Sequence, residues 1–233
     1  EPVRISLHLC PATLPDENIK NYIGRNTQVN LFTLEREILS MQEATHRTQL
    51  GVHYHLMVDQ QANLVTPFNR ADDVVGKENA MGSTIAGATL SLENVVGKKA
   101  PLLEEVLYDS DRFDSLVRKQ QIAFEDRLSH DSKFKELGII DSKTLGDALN
   151  DKEKTASNDR LKALKGKLST SEIEFFSHAN PAQFLREQYT RIIDSQLFNI
   201  GEVNKEIDAH LERGEPGIIE GVQSTPLSGR VKY

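Results

Sequence analysis

The sequence predicts an α/β (α+β) protein: a mixed sheet with flanking helices over the first hundred residues, then a long helical stretch. Three observations predict it. Residues 3–10, 52–58 and 85–96 read as extended, with strand-forming residues and alternating polarity in the first two. Residues 31–47 place apolar side chains at 31, 34, 38 and 41, the spacing of one helical face. From Pro101 onward the apolar spacing is helical almost throughout, and the composition shifts near residue 100.

Taken in order, Val3–Cys10 is the first expected strand, ended by Pro11 and Pro15. Asp16 is a suitable N-cap for a helix through Ile19, Tyr22 and Ile23. Helix 31–47 follows, with Glu35 and Glu37 on its wet side. Residues 52–58 and 64–66 are expected to form a hairpin across the polar break Asp59–Asn63. Residues 70–84 read as a loop, and residues 85–96 as a further strand. Beyond Pro101, residues 102–128 carry Leu103, Val106, Phe113, Leu116, Val117, Phe124 and Leu128 at helical spacing. The lysine-rich stretch 151–167 is a solvated helix or a linker. Ser169-Thr170-Ser171-Glu172 offers capping positions, and Asn180-Pro181 is an N-cap with proline in the first turn. A last helix is expected over 202–213.

Composition narrows the function. Lys and Arg number 28 against 35 Asp and Glu, a net charge of −7, which speaks against a broad nucleic-acid face. No apolar run approaches the ~18 residues of a membrane span. One cysteine, Cys10, excludes an intrachain disulfide.

Seven histidines are the chief candidates for chemistry: 8, 46, 53, 55, 130, 178 and 210. No short zinc signature occurs among them, so a metal site would have to be assembled from distant segments. His8 lies between Leu7 and Leu9 near the end of the first expected strand, where an imidazole can face a cleft. His53 and His55 flank Tyr54 on the second.

Three segments together resemble the zinc-dependent N-acetylmuramoyl-L-alanine amidases. ISLHLCPATLPDENIKNYI (5–23) is similar to the start of that family, GVHYHLMVDQQANLVTPFNRA (51–71) to its central hairpin, and IAGATLSLENVVG (85–97) to its next strand. The departures are plain. Ala62-Asn63 stands where the family has Asp-Gly, Asp72–Val75 where a Trp-His pair is common, and SHDSKFKELGIID lacks the family's aspartate-proline-glycine segment.

The resemblance implies an amidase-like α/β core over residues 1–100. Residues 101–233 would be a helical region completing that core and forming a C-terminal extension. It implies hydrolysis of the amide between N-acetylmuramic acid and L-alanine, with a zinc-bound water of lowered pKa. His8 would be the first zinc ligand, with His130 and Asp141 the others and His178 a rival. A second reading makes His130 a solvated histidine at a helix C-terminus. Tyr54 would orient the water or stabilise the oxyanion, and Glu93 would be the general base. The partner would be peptidoglycan or a muropeptide, and the location periplasmic or secreted. LGIIDSKTLGDALN (137–150) is also similar to the close of helical peptidoglycan-binding modules, or is simply a capped amphipathic helix. The alternatives are a catalytically degenerate amidase-like binding protein and a secreted interaction protein. Cofactor and site assignments here are what the resemblance implies, not what spacing shows.

Overall fold

The computed structural model describes residues 7–16, 18–44, 56–75, 97 and 99–214. Within them the protein is α/β, with five short strands and eleven helices. The strands form two parallel sheets, one of order β1 (Asn21–Ile23), β3 (Leu56–Asp59), β5 (Asn199–Gly201) and one pairing β2 (Gln28–Val29) with β4 (Asn63–Leu64). In register, Tyr22 faces Met57, Val58 faces Ile200, and Val29 faces Leu64. α1 (Leu31–Ala44) lies in the crossover from β1 to β3.

This differs from the expected sheet. Residues 7–10 bend rather than extend, and residues 3–6, 52–55 and 85–96 lie outside the described residues. The stretch after Asp16 is a turn and then β1, not a helix. The Asp16 carboxylate accepts the Asn18 N–H at 2.9 Å, and the Ile19 N–H returns to the Asp16 carbonyl at 3.2 Å. A helix would bury Ile19 and Ile23 together, whereas Ile19 is exposed and Ile23 buried.

The hairpin is also absent. The Ala62 N–H closes a turn on the Asp59 carbonyl at 2.9 Å, but β3 and β4 then join different sheets and pair parallel to β1 and β2. β3 explains why. Leu56, Val58 and Asp59 are all buried, so the strand is covered on both faces as a central parallel strand is.

The helices follow from their caps. α2 (Pro67–Asp72) replaces the start of the expected loop, opening at Thr66 with proline at its first position. The expected run 102–128 is two helices, α3 (Leu103–Tyr108) and α4 (Ser110–His130), separated at Asp109, whose carboxylate accepts the Arg112 N–H at 3.1 Å. α5 (Ser132–Glu136) ends at Gly138, whose φ of 70° lets the Ile139 N–H return to Phe134 O at 2.9 Å. α6 (Ser142–Asn150), α7 (Lys152–Ser157) and α8 (Asp159–Lys165) start at Asp141, Asp151 and Asn158. The lysine-rich stretch is therefore two short helices that bury Thr155, Leu161 and Leu164. α9 (Thr170–Ser177) has the Ser169/Glu172 capping box, and α10 (Pro181–Asp194) the Asn180 cap, as the sequence predicts. α11 (Val203–Glu212) closes the described chain.

One hydrophobic cluster runs from Cys10 and Leu14 through Val58 and Phe124 to Phe198. Its aromatic centre is Phe68, with centroids 4.7 Å from Phe175, 5.4 Å from Phe124 and 5.8 Å from Phe176. Phe68 belongs to α2, all six residues of which are buried. Among the described residues no helix is long and apolar enough to cross a membrane.

Candidate functional site

At the carboxyl ends of β2 and β4 the chain passes directly into the caps of α1 and α2. Asn30 follows β2, and its side-chain oxygen accepts the Thr33 N–H at 2.9 Å. Thr66 follows β4 and Val65; its backbone N–H donates to Asn69 Oδ1 at 2.9 Å and its hydroxyl to Gln120 Oε1 at 2.7 Å. Gln120 in turn donates to the Lys99 carbonyl at 3.2 Å. Val65 O accepts the Tyr189 hydroxyl at 3.1 Å. Burial, and then the nearby Glu172 charge, hold that phenol above its ordinary range, so it serves as a neutral donor.

A charged cluster sits beside these caps. Arg70 Nη1 lies 2.5 Å from Glu172 Oε1, and Arg70 Nη2 donates to the Lys167 carbonyl. Glu172 Oε1 also accepts Asn30 Nδ2 at 3.2 Å, and Oε2 accepts the Ser169 N–H at 2.8 Å. The two side chains are only 6% and 1% exposed. The pair therefore ties the end of β2, helix α2 and the start of α9 together, with each carboxylate oxygen occupied. At the other end of α2, Asp72 is bridged by Arg127 from α4, the Arg127 Nε at 2.8 Å.

The carboxyl edge of β1–β3–β5 is built differently. Asp59 is fully buried, and its two oxygens accept the Gln61 N–H at 2.8 Å and the Val203 N–H at 3.1 Å. It thereby caps α11, whose own N-cap residue Glu202 supplies no side-chain bond. Gly24–Asn26, Gln60–Gln61 and Glu202 form the rim of this edge, and all of them are at least partly accessible. A separate open cavity of about 610 Å³ lies along α10, lined by Arg186, Arg191, Glu187, Asp194, Thr190 and Ser195. Its two arginines are already paired, Arg186 with Asp114 at 3.0 Å and Arg191 with Glu35 at 2.7 Å.

Among the described residues, those singled out in the sequence do not gather into one metal-holding group. Tyr54 and Glu93, and with them His46, His53 and His55, lie outside the described residues. His8 sits on the bend before Pro11, 71% exposed at its side chain, with Nδ1 3.3 Å from Glu37 Oε1. His130 is at the exposed C-terminus of α4, its Nδ1 2.7 Å from the Asp126 carbonyl, which matches its solvated reading. Asp141 caps α6, accepting the Thr144 N–H at 2.8 Å. The rival His178 follows helix α9, and its ring lies against Phe184 at 4.8 Å. His210 is on α11 with Arg213 at 3.1 Å. Among the described residues no three His, Cys, Asp or Glu side chains stand together to hold a metal ion.

Sequence reasoning missed Arg70 and Asp59 as buried charges, read Glu172 only within a capping stretch, and set Glu37 on the wet side of its helix, where the structure buries it to 4% exposure under the backbone of residues 8–10. Only one had a local signal: Glu172 stands three residues after Ser169, the spacing of a capping box.

Parallel strands with helical crossovers between them define an α/β protein. The family model of adenylosuccinate synthetase matches residues 1–229, and the chain belongs to that family. No curated protein matches the chain.

This overturns the amidase resemblance. The family is one of purine biosynthesis and its members are ligases, so hydrolysis of the N-acetylmuramoyl-L-alanine bond is corrected, as are the degenerate-amidase and secreted-effector alternatives. Zinc is corrected with it, because the family uses Mg²⁺ with GTP and the described residues gather no metal-holding group. Peptidoglycan and muropeptide are corrected as partners, and the 137–150 stretch is the capped amphipathic helix α6 with the turn before it. The three similar segments misled because each is short and generic: a histidine near a proline turn, an apolar run before a polar turn, and an extended run rich in small residues.

Proposed function

We propose that this chain acts in purine nucleotide synthesis, joining IMP and aspartate in a reaction driven by GTP. The observation that carries the reading is the family match over residues 1–229. Members of the family bind GTP, IMP and aspartate. The architecture is compatible, since ligands of open α/β sheets bind outside the carboxyl ends of the strands. Here that edge carries Gly24–Asn26 after β1, Gln60–Gln61 after β3 and Glu202 after β5. These positions offer amide and backbone groups for a polar ligand, on a frame fixed by Asp59 from below.

The Arg70–Glu172 cluster braces the end of β2, α2 and the start of α9 rather than a ligand, because its groups are buried and bonded to one another. Family members use Mg²⁺ with GTP. No three His, Cys, Asp or Glu side chains stand together to hold it among the described residues.

Calorimetric titration of the purified chain with IMP and with GTP, each in the presence of Mg²⁺, tests the reading. Saturable one-site heats are expected for both nucleotides, and neither should be reproduced by a muropeptide. The absence of binding by both nucleotides would refute it.

A further inference from the structure

Glu37 is a carboxylate in the middle of α1, 4% exposed, and it is held by a neighbouring stretch of backbone rather than by a cation. Its Oε1 accepts the His8 N–H at 2.9 Å, and its Oε2 accepts the Leu9 N–H at 3.0 Å and the Cys10 N–H at 2.9 Å. The His8 imidazole lies 3.3 Å from Oε1 on the open side. Three successive N–H groups converging on one anion form a nest, an arrangement of the kind that binds phosphate or carboxylate. Here the anion is part of the chain.

We propose that residues 7–10 are a strap, latched onto α1 by the Glu37 carboxylate and hinged at Pro11, and that the nest they form is an anion site with Glu37 as its resident ligand. The strap's other holds among the described residues are apolar: His8 is exposed, Leu7 and Leu9 pack partly covered against the core, and Cys10 is buried in it. Beyond the hinge the chain is fixed independently: the Leu14 N–H closes a turn on the Pro11 carbonyl at 3.1 Å, Leu14 is fully buried, and the Thr13 hydroxyl meets the Asn21 side chain. The strap can therefore peel without disturbing β1. Any ligand that favours the open or the closed form would shift its population by that difference in affinity.

The inference does not depend on the proposed reaction, and its test needs no activity. Amide hydrogen exchange of the full chain, resolved by residue, is compared between wild type, Glu37→Gln and Glu37→Ala. In both variants His8, Leu9 and Cys10 should exchange at least about tenfold faster, while the amides of Leu34, Ile38 and Met41 within α1 keep their rates. Formate added to Glu37→Ala should restore part of the protection at 8–10, because it refills the nest, and formamide at the same concentration should not. Unchanged exchange at 8–10 in the variants would overturn the proposal. So would acceleration that spreads equally through α1, or failure of both variants to fold, either of which makes Glu37 a core staple rather than a latch. Equal rescue by formamide would overturn the anion site.

Discussion

Replacing Glu172 by glutamine removes one charge from the most deeply buried ion pair described and leaves the shape almost unchanged. Glu172 receives Arg70 and Asn30 on one oxygen and the Ser169 N–H on the other. A glutamine has a single acceptor oxygen. Whichever way its amide turns, an NH₂ group meets either the Arg70 and Asn30 donors or the Ser169 N–H, and the guanidinium loses its counter-charge. Breaking a buried pair by removing one partner costs about 3–5 kcal/mol, against a total stability of roughly 5–15 kcal/mol. With a urea m-value of about 3 kcal/mol per molar, the upper end for small proteins, the midpoint should fall by roughly 1–1.7 M. Urea unfolding followed by circular dichroism measures it, with m unchanged. The double variant Arg70→Met/Glu172→Leu should recover at least half of the loss, because the uncompensated charge is gone. A midpoint shift below about 0.3 M for Glu172→Gln, or a double variant less stable than either single one, would refute the reasoning.

Three further outcomes follow from particular contacts. A Cβ at Gly146 would lie 2.7 Å from the Ser177 backbone nitrogen and 2.9 Å from the Phe176 carbonyl carbon, as well as against Ser177 Oγ. Gly146→Ala should therefore cost about 1–3 kcal/mol by forcing α6 away from α9, and Ser177→Ala should not rescue its melting temperature. Asp59→Ala leaves the Gln61 and Val203 N–H groups without their acceptor and should cost about 1–3 kcal/mol in urea unfolding, with Asp59→Asn losing less. The Cys10 thiol is pushed up to about 12, first by burial and then by the Glu37 charge. The unfolded thiol, with its ordinary value of 9.0, gives up its proton first, so this contribution is fully present below pH 9 and lost as pH rises from 9 to 12. The wild-type minus Cys10→Ala difference in stability should fall over that window by at most about 1.4 kcal/mol per pH unit, and a flat difference would contradict the burial of the thiol.

Much of the helical half was legible because its signals are local. Ser169 with Glu172, Asn180 with Pro181, and the helix expected over 202–213 are legible from neighbouring residues, and the chain folds there as those residues dictate, the last helix running Val203–Glu212. The same grammar was present at Thr66-Pro67 but went unread, because the polar stretch after it suggested a loop; burial of Phe68, Arg70 and Asp72 made it the centre of the core instead. β1 and β4, at three and two residues, are too short for any period to show, and their parallel partners lie about 35 residues away. The buried charges were illegible for the same reason. Arg70 and Glu172 are 102 positions apart, and nothing near either residue names the other. The histidines drew attention because imidazole carries chemistry, yet His130 and His178 are met by local backbone and ring contacts at helix ends.

The central claim, that this chain carries out the chemistry of its family, is tested most directly by product formation. Purified chain is incubated with GTP, IMP, aspartate and Mg²⁺, and the nucleotides are followed by mass spectrometry. Adenylosuccinate and GDP should appear together in equal amounts, and only when all three substrates are present. IMP and GTP recovered unchanged by a folded chain that binds both would contradict it.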